Sequence, residues 1–366
     1  MTAVVQIRFK ETNYPIMVGD ILLSSKYYTR NDFTIPTHDS ALTFPPEFKM
    51  APCGLRQKLT VISDHFIVGW AGDAYPAREL IEKLLEGNEQ EPYTLDSLNS
   101  YLDSLGSSVW QNNIALAGFI KEPNRVGWFG RNAEYVTTGI GEVGLLGSGV
   151  ESIKRYLQNF TILPISSDTN GNNLSHHLLT TLGLTGGLLS AEIKSGAGLD
   201  KLFGAGYELA TWIDGAFKKV DNITYLFWQA WTDGKRAQIR FPHRSLKISY
   251  LKDILVIRVD SLTSLPDGIG VSAEKTTCFF VEPIYRIVDR DELIGFEPPS
   301  LNSTFVCNYF AFYDRHGTET VLAASECVGA AGPTDIRFIE DGWRPKQFAL
   351  RNGYLEDIAD RIKKQF

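Results

Sequence analysis

The chain begins Met1-Thr2-Ala3-Val4, and a threonine in second place raises a chemical question. Aminopeptidase removes an initiator methionine when a small residue follows, which would leave Thr2 with a free α-amine and a hydroxyl on one residue. Most such threonines are frayed ends without a task. The reading therefore turns on whether anything downstream needs that amine and hydroxyl. Asp20, Lys58 and Gly72 are the residues to weigh. Taken singly, each has a plain structural reading. Asp20 can close a turn, Lys58 can snorkel from a strand start, and Gly72 can supply a turn conformation that other residues resist.

Other groups of reactive residues carry less. His38-Asp39-Ser40 holds the residue types of a hydrolytic triad, but triads are assembled from distant segments. His176 and His177 are adjacent, so on a helix they point about 100° apart and do not suit one metal. They read as surface and boundary residues. Gly139-Ile-Gly-Glu-Val-Gly144 matches G-x-G-x-x-G, yet it runs into an apolar strand instead of opening a helix, so the dinucleotide mechanism lacks its structure. Cys53 could become a terminal nucleophile only after a cleavage that deletes the first hairpin. The four cysteines are scattered with no C-x-x-C pair, which gives neither a disulfide framework nor a zinc site. No cofactor and no metal are expected.

Composition narrows the partners. The 366 residues, 43% hydrophobic and 22% charged, can bury a large core in one large domain or two unequal ones. A net charge of -7 without a basic block argues against nucleic acid or an anionic membrane as main partner. No leader-like apolar region opens the chain and no stretch approaches membrane-spanning length, so a cytoplasmic protein is expected.

The elements that must position these residues follow from periodicity. Residues 2–9 alternate, with Ala3, Val5, Ile7 and Phe9 on one face, and 15–23 return as a second strand. Residues 24–55 turn polar and proline-bearing and read as a long loop or insertion. Two strands at 58–62 and 65–72 flank a Ser63-Asp64 turn. A helix from Ala77 stops at Gly87, and Thr94 caps a second. Strands resume at 113–120, 126–129 and 142–146. Helices are expected at 151–157 and 175–190, the latter weakened by Gly183, Gly186 and Gly187. Strands at 207–213 and 224–231 come next, then an almost wholly β region from 235 until a closing amphipathic helix over 354–366. Segregated runs of this kind predict layered α+β packing.

With that succession in place, the residues resemble a proteasome β-type subunit of the N-terminal-nucleophile hydrolase superfamily. Val18-Gly19-Asp20 resembles the segment ending that family's second strand. The run from Lys58 to Gly72 resembles its lysine-led strand pair, Leu146-Gly-Ser-Gly149 its G-S-G signature, and Ala191-Glu-Ile-Lys-Ser-Gly196 its R-D-x-x-[ST]-G. Glu192 stands for the family's aspartate and Ala191 for its arginine. The resemblance covers residues 2–232 and implies a four-layer αββα sandwich, two antiparallel sheets between helical layers. It leaves 233–366 as a mostly β C-terminal extension or small second domain.

The resemblance also implies a chemistry. Thr2 would be nucleophile and, through its α-amine, general base, since such an amine titrates near neutral pH within reach of its own hydroxyl. Lys58 would activate the hydroxyl, Asp20 would hold Lys58, and the Gly72 N–H would stabilise the oxyanion. Ser148 and Glu192 would orient the amine, and Ser24 would lie beside the substrate backbone. A peptide or small amide substrate and a homo-oligomer are expected. Two alternatives share these residues: a noncatalytic binding or structural protein, and an amidohydrolase acting on a small molecule.

Overall fold

The computed structural model describes residues 2–10, 12–25, 34–38, 51–111, 114–159, 173–196, 198–199, 202–232, 237–264, 271–313, 319–327, 336–342 and 344–350, with 356 and 360. The first strand, β1 (Val4–Phe9), turns through Asn13, whose φ of 53° is left-handed, into β2 (Pro15–Asp20). Val4 pairs with Gly19 and Arg8 with Pro15, the hairpin expected from the alternation. A ribbon follows, β3 (Leu22–Ser25) against β4 (Ala51–Leu55). The stretch read as one loop over 24–55 therefore has strand at both ends, while 26–33 and 39–50 lie outside the described residues.

β5 (Leu59–Ser63) and β6 (Phe66–Gly72) form the second expected hairpin. Asp73 caps α1 (Ala74–Gln90) by accepting from the Tyr75 N–H, and Thr94 caps α2 (Leu95–Ser104) in a capping box with Ser97. Gly87 does not end α1 as expected. The Tyr93 side chain packs where a Cβ would project, and the Glu91 N–H closes the helix on the Gly87 carbonyl at 3.0 Å. Next come α3 (Ser107–Gln111), β7 (Ile114–Glu122), β8 (Arg125–Arg131), β9 (Glu134–Thr137), β10 (Gly141–Leu146), α4 (Val150–Asn159) and α5 (Asn173–Ser195). The remainder is β11 (Tyr207–Ile213), β12 (Ala216–Lys219), β13 (Ile223–Thr232), β14 (Ala237–Leu251), β15 (Ile254–Ser264), β16 (Val271–Val281), β17 (Phe305–Tyr313), β18 (Glu319–Cys327), β19 (Ile336–Asp341) and β20 (Arg344–Leu350). The closing helix expected over 354–366 lies outside the described residues, 356 and 360 apart.

Three larger sheets organise these strands. The first runs β12-β11-β2-β1-β10-β9 and the second β5-β6-β7-β8. They face each other through Val4, Met17, Leu59, Ile67, Ala117 and Phe119. Helices α1 and α2 cover the far face of the second sheet, where Leu80, Ile81, Leu84 and Leu98 meet Phe66, Val68 and Trp70. The third sheet, β16-β15-β14-β13-β17-β18, is mixed, because β13 and β17 run parallel while its other pairs are antiparallel.

The expected four-layer αββα sandwich is overturned. Among the described residues twenty strands stand against five α-helices, in several antiparallel sheets and one mixed sheet. The decisive element is α5. Leu178, Leu179, Leu182, Leu184, Leu188 and Leu189 are all buried, so apolar side chains ring the helix. A helix of that kind must be covered on both sides. One side meets Val5, Ile16 and Val18 of the first sheet, and the other meets Tyr225, Tyr309 and Cys307 of the third. The layer expected to be an outer helical skin is a buried seam between sheets. Gly186 makes the approach possible, because a Cβ there would overlap the Tyr309 ring.

Candidate active site

Position 3 is pinned by position 20 at the open end of the first hairpin. The Asp20 N–H donates to the Ala3 carbonyl at 3.0 Å, and the Ala3 N–H donates to Asp20 Oδ1 at 2.9 Å. The second carboxylate oxygen accepts from the Gly204 N–H at 2.9 Å. Thr2, immediately before this clamp, is completely buried, and its carbonyl accepts from the Gly149 N–H at 3.2 Å. Gly147 has φ of 91°, and a Cβ on it would overlap the Thr2 carbonyl. The Gly-Ser-Gly turn is therefore glycine-bearing because the start of β1 passes against its backbone. Ser148 sits exposed at the crest of that turn.

Lys58 enters from the lead into β5. Gly19 leaves room for it, since a Cβ at Gly19 would lie only 3.0 Å from Lys58 Cβ. Its side chain is completely buried and its Nζ stands 4.2 Å from the centre of the Trp70 ring, a cation–π contact. Among the described residues Lys58 Nζ has no hydrogen-bond partner. Burial pulls the lysine down to about 8 against the opposing pull of Asp20 and Glu208. Burial likewise pushes Asp20 up to about 6, opposed by Lys58 and by the Ala3 and Gly204 N–H groups. A buried cation and a buried anion thus face each other beside the start of β1.

Glu192 lies near the end of α5 on the other side of the Gly204 backbone from Asp20. The Thr37 hydroxyl and the Ala205 N–H donate to its Oε1, the latter at 2.8 Å. Gly204 adopts φ of 118° and has no Cβ to collide with Glu192 Oε2. Burial pushes Glu192 up to about 8, and the Asp20 charge adds to the rise. Gly72 ends β6 with φ of 103°, partly exposed, one residue beyond Ala71, which approaches the Gly147 turn. Ser24 lies half-buried on β3, paired with Pro52. Asp20, Lys58 and the turn bearing Ser148 therefore gather around the start of β1. Glu192 forms a second layer behind Gly204, and Ser24 occupies the neighbouring ribbon.

Sequence reasoning missed Glu208. Fully buried on β11, it accepts from the Lys58 N–H and, at 2.7 Å, from the Leu59 N–H, and it pairs with Lys219. It thereby fixes the backbone from which the Lys58 side chain projects. The available signal was a single acid inside the otherwise apolar strand Tyr207-Glu-Leu-Ala210. His177 also departs from the boundary residue expected. It is buried, stacks on Phe9 at 4.3 Å and bonds the Thr12 hydroxyl at 2.7 Å. Of His38-Asp39-Ser40, positions 39 and 40 lie outside the described residues.

No protein-family model matches this sequence, and a search of curated proteins finds no relative. Among the described residues no group of three or more His, Cys, Asp or Glu is placed to hold a metal ion. Among them, too, no helix is long and apolar enough to cross a membrane.

Proposed function

We propose that this chain is an N-terminal threonine hydrolase of proteasome β-type chemistry, cleaving a peptide or small amide in the cytoplasm after removal of Met1. One observation carries the reading. Lys58 is completely buried with no hydrogen-bond partner for Nζ among the described residues, opposite Asp20 and beside the start of β1. A purely structural lysine in such a place is expected to spend its donors, because an unmade hydrogen bond in the interior costs about 1–3 kcal/mol.

In this reading the free Thr2 amine takes the proton from Oγ as Oγ bonds to the substrate carbonyl carbon. The proton passes to the leaving nitrogen as the C–N bond breaks, and water then hydrolyses the Thr2 ester and restores the hydroxyl. The Lys58 charge lowers the hydroxyl's pKa, Asp20 and Glu208 keep Lys58 in place, and the Gly72 N–H meets the oxyanion. Ser148 orients the amine, Glu192 acts on it only from behind the Gly204 backbone, and Ser24 flanks the bound substrate. The step needs no cofactor, and a homo-oligomer would enclose the site.

A second reading is favoured by the complete burial of Thr2. In it the protein is a noncatalytic binding or structural protein in which Asp20 and Lys58 only tie the first hairpin to β5. Intact mass before and after an α′,β′-epoxyketone separates the two, because that warhead needs the hydroxyl and the free amine of one terminal threonine. Loss of Met1 with a stoichiometric adduct, absent in Thr2→Ala, is the expected result. Retained Met1 would sink the hydrolase.

A further inference from the structure

Gln57 lies between β4 and β5, in neither strand, and is only 2% exposed. Its polar atoms are all bonded, and they reach all three larger sheets. On the third sheet, Nε2 donates to the Asp253 carbonyl in the β14–β15 turn at 2.6 Å and to the Val281 carbonyl at the end of β16 at 2.8 Å. The Gln57 N–H donates to the Glu282 carbonyl just beyond, at 3.0 Å. On the first sheet, Lys219 Nζ of β12 donates to Gln57 Oε1 at 3.3 Å. On the second, the Trp70 indole of β6 donates to the Gln57 carbonyl at 3.1 Å. An amide that gives to two carbonyls and takes from an ammonium has one orientation only.

The next residue is Lys58. Its carbonyl accepts from the Trp70 N–H at 3.0 Å, so residues 57 and 58 together fix the indole that faces Lys58 Nζ at 4.2 Å. The completely buried Nζ has no hydrogen-bond partner of its own among the described residues. Its place is therefore set by the backbone that carries it and by the ring beside it. The far anchor of Gln57 is itself braced. The Asp253 carboxylate accepts from Arg286 Nε at 2.7 Å and from the Tyr285 hydroxyl at 3.0 Å, which holds the turn whose carbonyl Gln57 grips.

We propose that Gln57 is a positioning residue for Lys58, and that through it the third sheet belongs to the apparatus that holds that lysine. The task given to Lys58 rests on the hydrolase reading, whereas its being held by Gln57 does not. Strands β14, β15 and β16 thereby act on the site at the start of β1 without touching the substrate.

Lysine-selective NMR of the full chain tests it, with the Lys58 signal assigned by its loss in Lys58→Arg. Burial holds the wild-type midpoint at about 8, with Asp20, Glu208 and Cys53 favouring the charge and Arg56 opposing it. Gln57→Met keeps the side chain's length and removes its donors and acceptor. A loosened Lys58 escapes part of its burial, so its midpoint should rise by about one pH unit, a tenfold change in proton affinity. A merely structural Gln57 would lower the melting temperature and leave that midpoint in place, and this result would overturn the proposal. Asp253→Asn, a partly exposed change on the third sheet, should also raise the midpoint. Neutralising Asp253 acts on Lys58 by charge in the opposite sense, so a rise there reads position. No rise in Asp253→Asn would overturn the part given to the third sheet, and if Gln57→Met does not fold, this variant decides alone. On the hydrolase reading, Gln57→Met should also form the epoxyketone adduct about tenfold more slowly. A wild-type chain that forms no adduct would sink the hydrolase and leave the Lys58 midpoint to decide this proposal.

Discussion

Lys58 and Asp20 are both completely buried, and each favours the other's charged form while burial opposes both. Removing one partner leaves an uncompensated charge. Lys58→Met is therefore expected to lose about 3–5 kcal/mol of stability in urea unfolding at neutral pH. Adding Asp20→Asn should recover part of that loss, so the double-mutant cycle closes with a coupling of opposite sign to the single losses. Glu192 gives a pH signature. Its carboxyl rises from 4.5 to about 8 on folding, so its contribution is fully present below pH 4.5 and is lost as pH climbs through about 8. Between those limits the folded chain holds a proton that the unfolded chain releases, and stability should fall by up to about 1.4 kcal/mol per pH unit. Glu192→Gln should flatten that slope, and urea midpoints measured across the range would show it. Asp20 and Lys58 were legible as candidates because they occupy strand ends in a known order. Glu208 was not, because only the folded chain shows that its carboxylate grips the Lys58 and Leu59 N–H groups.

Elements were legible where the local pattern matched the packing. Alternation announced β1 and β2, and Thr94 announced α2, because those signals are read by the backbone itself. Glycines misled where a tertiary neighbour used the missing Cβ. Gly87 looked like a stop and Gly186 like a weakness, yet both lie inside helices against tyrosine rings. Gly186→Ala accordingly should reverse the usual rule. An alanine in a helix ordinarily stabilises over glycine by about 1 kcal/mol, but here it must displace the Tyr309 ring. We expect a net destabilisation of about 1–3 kcal/mol, read as a lowered melting temperature. The polar stretch over 24–55 misled for a similar reason. Ala51–Leu55 carries Pro52 and Gly54 and reads as loop, yet it pairs with Leu22–Ser25 on a two-stranded edge where such residues are tolerated.

At the scale of the whole molecule, α5 ties the first and third sheets into one core. A chain of residues 1–232 would keep α5 and β13 but lose β14 and β17, the two partners of β13, together with the Tyr309 side of the helix. It is expected to expose a broad apolar surface, bind a hydrophobic dye and lose cooperative unfolding, which dye fluorescence and a thermal melt would show. A truncated chain that melts as sharply as the full one would refute this account. The sequence by itself determined most of the strand and helix succession up to β13, the absence of a basic footprint and the placing of Thr2, Asp20 and Lys58 at element ends. Those are properties of local periodicity and composition. The tertiary structure alone decided that α5 is a buried seam, that Glu208 and Trp70 frame Lys58, and that Gln57 reaches the third sheet. Each depends on which distant surfaces meet, and burial on both sides of a helix leaves no trace in its own pattern beyond a uniform apolarity that does not name its partners.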